Sequence, residues 1–136
     1  MEQLKVVVCK AGKGISAHIE GLDGFIIAAA SFDKLKNDLR KSLDFHISGL
    51  YPEEVQPWMN GKYEFTYQFE NLDSLLNSLD NIFSQSALAR LVGVNEGLMR
   101  QYASGVKKPG KKIMQRIETG LHDFGKELNE IAFTNS

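Results

Sequence analysis

The chain has 136 residues, 43% hydrophobic and 24% charged, with a formal net charge of −1, the composition of a soluble globular protein of one ordinary domain or two small ones. No apolar run approaches the ~20 residues of a membrane span, the start MEQLKVVV lacks a signal-peptide pattern, and Cys9 is the only cysteine; a cytoplasmic protein with no membrane partner and no intrachain disulfide is expected. The small net charge conceals an asymmetry. Residues 1–83 carry 8 Lys/Arg against 12 Asp/Glu, residues 84–116 carry 7 against 1, and residues 117–136 carry 1 against 4.

In chain order, Leu4 to Lys10 is short and Val-rich and predicts a strand. Ala11 to Gly14 is a turn. Ile15, Ala17 and Ile19 alternate with Ser16, His18 and Glu20, the period of a strand with one wet face. Gly21 to Gly24 makes a second turn, and the apolar run Phe25 to Ala30 reads as a buried strand completing an antiparallel meander. Ser31 is an N-cap with Asp33 in the first turn behind it. From there Phe32, Leu35, Leu39, Leu43, His46, Ile47 and Leu50 recur at spacings of three and four, an amphipathic helix covering one sheet face. Pro52 and Pro57 stop it and hold a short extended connection. After the Asn60-Gly61 turn, Tyr63, Phe65, Tyr67 and Phe69 alternate with Glu64, Thr66, Gln68 and Glu70, the clearest strand in the chain. The first domain is therefore β-β-β-α-β over residues 1–70, and the fold class is α+β.

At residue 71 the period changes from 2 to 3.6. Asn71 caps a helix carrying Leu72, Leu75, Leu76, Leu79, Ile82 and Phe83, the first of an all-α domain over residues 71–136. Ser84 caps the next, with Leu88, Ala89, Leu91 and Val92 at helical spacing. Gly93 ends it, Val94 plugs the turn, and Asn95 caps a further helix that buries Leu98, Met99 and Tyr102. Ser104 to Gly110 is a loop by its Gly, Pro and Lys content. The last helix carries Ile113, Ile117, Leu121, Phe124, Leu128 and Ile131, a stripe that either completes the core or pairs with a second copy. Gly120 and Gly125 either weaken this helix by ~1 kcal/mol each or admit a neighbouring helix closely.

Through Gln85, Leu88, Ala89, Gly93, Val94, Gly105 and Pro109, residues 85–109 resemble the helix-turn-helix of the lambda-repressor-like (XRE) regulators. The resemblance implies that Gln85 contacts phosphate. It also implies that Asn95, Glu96, Gly97 and Leu98, with Arg100 or Gln101 one turn later, face base edges in the major groove. Gln pairs with adenine and Arg with guanine; Glu96 either accepts from cytosine or repels wrong contacts. Lys107 and Lys108 suit the phosphate backbone. Helix-turn-helix regulators usually bind as dimers on two half-sites, so a homodimer or higher homo-oligomer on operator DNA is expected.

Through Gly14 to Ile19, Leu22 to Gly24 and Ser31 to Leu50, residues 1–70 resemble the HicB antitoxin family. This implies a partial RNase H-like fold and a HicA-type toxin, a small basic RNA-cleaving protein, as partner. The whole would be a DNA-binding antitoxin that silences its toxin and represses its own operon. The alternative is a stand-alone HicB-like regulator whose first domain serves oligomerisation or ligand sensing. A nuclease of RNase H type would carry acidic metal ligands on its strands. The first strand, LKVVVCK, has none, and His18, His46, His122 and Cys9 show no ligand spacing, so neither catalysis, metal nor cofactor is expected.

Overall fold

A computed structural model describes residues 1–134. It is a mixed α+β structure whose chain divides into two compact units, Met1–Ser74 and Leu75–Ser136.

In the first unit β1 (Glu2–Ala11), β2 (Gly14–Ile19) and β3 (Ile26–Ala29) form the expected meander. Helix α1 (Phe32–Ser48) follows, and then β4 (Tyr63–Phe69). The sheet order is β3-β2-β1-β4, with β4 parallel to β1. The run of β-branched valines makes β1 a good central strand. Its alternate residues Leu4, Val6 and Val8 are buried with Ile15, Ala17 and Ile19 of β2. Against them α1 lays Leu35, Leu39 and Leu43, each wholly buried, as the spacing of three and four requires. Ser31 caps α1 by accepting from the Lys34 N–H at 3.2 Å.

Two readings of this unit are corrected. The run Phe25 to Ala30 is not a buried strand. Phe25 is buried just ahead of β3, whereas Ile26 is 76% exposed, because it shares with its exposed β2 partner His18 the sheet face opposite the core. Nor do the prolines hold an extended connection: Pro52 and Pro57 each open a short 3-10 turn, Pro52–Glu54 and Pro57–Asn60. Their fixed φ suits a first helical position as well as an extended one.

Along α1 and β4 lies a set of aromatic and charged groups. Tyr63 donates to Asp44 Oδ1 at 3.0 Å, and the Arg40 guanidinium stands 4.5 Å from the Tyr63 ring and 5.4 Å from that of Phe65. Burial, then the bond to Asp44, pushes the Tyr63 phenol above its ordinary value.

The second unit contains α3 (Gln85–Val92), α4 (Glu96–Ala103) and α5 (Lys111–Asn129). Helix α2 (Leu72–Ser78) is shorter than its apolar stripe predicts. After Ser78 the chain turns: the N–H groups of Ile82 and Phe83 both reach the Leu79 carbonyl, at 2.9 and 2.8 Å. Asp80 and Asn81 favour such a turn over helix. Ile131 likewise lies past the end of α5. The core joins Leu76, Leu88, Ala89, Val92, Met99, Tyr102 and Ile117. Phe83 and Phe124 meet edge to face at 5.9 Å between ring centres.

Of the two readings of the α5 glycines, Gly120 takes the second. A Cβ there would stand 2.7 Å from Val92 Cγ1 and 3.2 Å from its Cα, so α5 lies close on α3. A Cβ at Gly125 would meet nothing within 4 Å. The same substitution should therefore act with opposite sign. Gly125→Ala should stabilise by roughly 0.5–1 kcal/mol through helix propensity. Gly120→Ala should destabilise by about 1 kcal/mol, since overpacking of about 1–3 kcal/mol outweighs the same gain. Urea unfolding of the full chain measures both; equal stabilisation by the two would refute the close packing.

Candidate nucleic-acid interface

Two short helices and the turn between them make up this site. Ser84 caps α3 by accepting from the Ala87 N–H at 3.0 Å. Gly93 ends α3 in the left-handed region, with φ 74° and ψ 35°. That conformation brings the Val94 N–H to the Ala89 carbonyl at 2.9 Å, and Val94 itself is buried. Asn95 then opens α4, its Oδ1 accepting from the Leu98 N–H at 3.1 Å. Both ends of the connection are held by hydrogen bonds that the sequence supplies locally.

The orientation of α4 follows from which of its residues are buried. Met99, Tyr102 and Ala103 face the core. At 100° per residue the opposite arc is Gly97, Arg100 and Gln101, bordered by Glu96 and Leu98. Glu96, Arg100 and Gln101 are exposed, while Gly97 and Leu98 are half-buried. Leu98 is thus not a core residue, as its spacing suggested, but a border one. Gly97 keeps the arc low: a Cβ there would come within 3.2 Å of Asn95 Oδ1 and 3.8 Å of Arg100 Nη2. Glu96 Oε2 accepts from Ser86 Oγ at 3.3 Å, which ties the first turn of α4 to α3. Its carboxylate also suits the positive end of the α4 dipole.

Of the remaining residues expected at the site, Gln85 opens α3 and is half-buried, and Asn95 is exposed but engaged in its cap. Lys107 and Lys108 are both exposed. The loop carrying them is drawn back onto α4: the Lys107 N–H donates to the Gln101 carbonyl at 3.3 Å and Ser104 Oγ to the same carbonyl at 3.1 Å. The structure thereby brings Lys107 beside the end of the helix that carries Arg100 and Gln101.

Four further cations lie in residues 84–116: Arg90, Lys111, Lys112 and Arg116. The charge balance counted them without giving them a role. Arg116 Nη1 donates to the Gly93 carbonyl at 3.3 Å and so braces the turn from α5. All seven cations of residues 84–116 are exposed, and among the described residues none forms an ion pair. The ion pairs Lys10–Asp73, Lys34–Asp38 and Lys36–Asp33 lie in the first unit. A polar arc on a short helix with unpaired cations in the same compact unit can attract and orient a polyanion. Among the described residues no group of three or more His, Cys, Asp or Glu could hold a metal ion, and no helix is long and apolar enough to cross a membrane.

No family model, curated protein or solved structure matches this chain.

The turn itself is open to test. A Cβ at Gly93 has space, but φ 74° strains any L residue. Gly93→Ala should lower stability by about 1–2 kcal/mol, and Gly93→Asn by less, since Asn tolerates this conformation. Thermal melts of the two variants should rank in that order; an Ala variant as stable as the parent would show that α4 does not depend on this turn.

Proposed function

We propose that this chain is a DNA-binding antitoxin: its second unit is a helix-turn-helix domain that reads operator DNA, and its first a partial RNase H-like domain that binds a basic toxin. The observation that carries the DNA reading is the set of seven exposed, unpaired cations on the unit that holds the polar arc of α4. A duplex carries one negative charge per ~1.7 Å of axis, and its major groove, about 12 Å wide, admits a helix such as α4. Arg100 and Gln101 lie on the arc and have side chains able to pair with guanine and adenine. Glu96, held by Ser86, limits what the first turn accepts. Lys107 and Lys108 meet phosphate, and Gln85 and Asn95 flank the contact. One such helix reads few base pairs, so the domain acts as a homodimer on two half-sites.

Support for the toxin-binding half is the HicB-like order of elements and the excess of 12 acids over 8 bases in residues 1–83. A HicA-type toxin is basic because it binds RNA, and an acidic domain is complementary to it. In this reading the chain is not an enzyme and needs no cofactor.

Titration of the full chain against DNA flanking its own gene and against random duplex tests the first half. Gln101→Ala should weaken operator binding by ~1–3 kcal/mol and random binding far less. Lys107→Ala should weaken both alike and reduce the salt slope by about 1. Equal loss on both duplexes for Gln101→Ala would remove it from the base edges. For the second half, the chain should co-purify stoichiometrically with a small basic protein that stops growth when expressed alone and is silenced by this chain. A clean homo-oligomer, obtained where neighbouring genes are expressed, would leave a regulator without a toxin.

A further inference from the structure

Among the described residues strand β4 has β1 as its only strand neighbour, so one side of its backbone lies at the sheet edge. Which residues present that side follows from the ladder. The Glu2 N–H donates to the Lys62 carbonyl and the Glu70 N–H to the Val8 carbonyl, at 3.2 and 3.0 Å. In a parallel ladder the alternate residues 62, 64, 66, 68 and 70 then turn their amides toward β1. Tyr63, Phe65, Tyr67 and Phe69 turn theirs outward. Arg40 Nη2 confirms the direction by reaching the Tyr63 carbonyl at 3.4 Å, which leaves that oxygen a second lone pair. Among the described residues no hydrogen bond is made to the outward amides of Phe65, Tyr67 and Phe69.

This edge is protected at its start, where Tyr63 is 3% exposed and its carbonyl accepts from Arg40, and is open from Phe65 onward. It pairs with β1 over seven consecutive residues, without a bulge, and contains no proline. A long, flat edge rich in aromatic residues is a template for another strand.

Its sequence is self-complementary in one antiparallel register. Centred on Thr66, that register sets Phe65 opposite Tyr67 of the second copy and Tyr63 opposite Phe69, as hydrogen-bonded pairs. Both fall on the outward amides and put ring beside ring on the α1 side; the Phe65–Tyr67 pair is open as the chain stands, and the Tyr63–Phe69 pair forms once the Arg40 guanidinium leaves the buried Tyr63 carbonyl. On the exposed face Glu64 meets Gln68, Thr66 meets Thr66, and Lys62 meets Glu70. No like charges stand opposite one another, and the two-fold axis doubles every pair except Thr66–Thr66, which lies on it; the ion pair is among those doubled. Sliding by one pair of residues in one direction opposes Glu64 to Glu70; in the other it removes the partner of Glu70 from the strand. We propose that β4 is the seam at which two copies of this chain join their sheets, antiparallel about a two-fold axis at Thr66. Such a contact is isologous and closes at two subunits. It supplies the second copy that the DNA-binding reading calls for, and to that extent rests on that reading.

The test is made on the full chain without DNA, so that its failure leaves the DNA reading to be judged by its own titration. Native mass should show two chains. Thr66→Glu, at an exposed position, sets like charges face to face and should weaken self-association about tenfold with an unchanged circular dichroism spectrum. In a Cys9→Ser background, Thr66→Cys should oxidise to a covalent dimer, since non-hydrogen-bonded partners stand about 4.5 Å apart at Cα. Gln68→Cys, which faces Glu64 instead of itself, should cross-link poorly. A monomeric parent chain overturns the proposal, whether the edge is then covered by a toxin strand or by another part of the chain. A dimer unmoved by Thr66→Glu that cross-links no better at 66 than at 68 overturns it too.

Discussion

The left-handed turn at Gly93 is the constraint on which the second unit depends. Three independent groups converge on it: the Val94 N–H on the Ala89 carbonyl, the Asn95 cap on Leu98, and Arg116 on the Gly93 carbonyl. With Met99 and Tyr102 buried on one side, these bonds leave α4 one orientation. The polar arc of Gly97, Arg100 and Gln101 is then presented outward as a consequence of packing. A helix of eight residues is too short to be stable alone, so caps and burial must supply what propensity does not.

Gly120 serves the same arrangement from the other side. By omitting a Cβ it lets α5 settle against Val92 of α3, and from α5 Arg116 reaches the turn. The position sacrifices helix propensity for proximity. One cation of the basic set thereby acts structurally while remaining exposed, so local charge and local stability are coupled in this unit.

In the first unit, β1 plays the organising part. It is paired on both sides, antiparallel to β2 and parallel to β4, and its alternate residues form the floor on which α1 packs. Cys9 near its end is half-buried, and burial followed by the neighbouring Glu70 raises its thiol above the ordinary value; it is not poised as a nucleophile. The parallel placement of β4 leaves this strand with an unpaired side. The same alternation that seats its aromatic residues against α1 gives that side its self-complementary order.

Taken alone, the sequence determined what depends on neighbours along the chain. The Ser31, Ser84 and Asn95 caps, the Gly93 turn, the period of α1 and the alternation of β4 are set by residues within a turn or two of each other, and so is the concentration of cations in residues 84–116. It did not determine burial where burial depends on which sheet face is covered: Phe25 to Ala30 has a core-like composition, yet Ile26 lies on the open face. Nor did it determine where α2 stops, because Leu79 to Phe83 continues an apolar stripe that a turn can use equally well. The role of Gly120 and the brace from Arg116 required knowing what lies opposite them. So did the outward side of β4, whose symmetric pattern is present in the sequence but acquires meaning only once β4 is known to be last in the sheet. Local hydrogen bonds and periodicity are encoded contiguously; which surfaces meet, and which are left open, is decided by contacts between residues far apart in the chain.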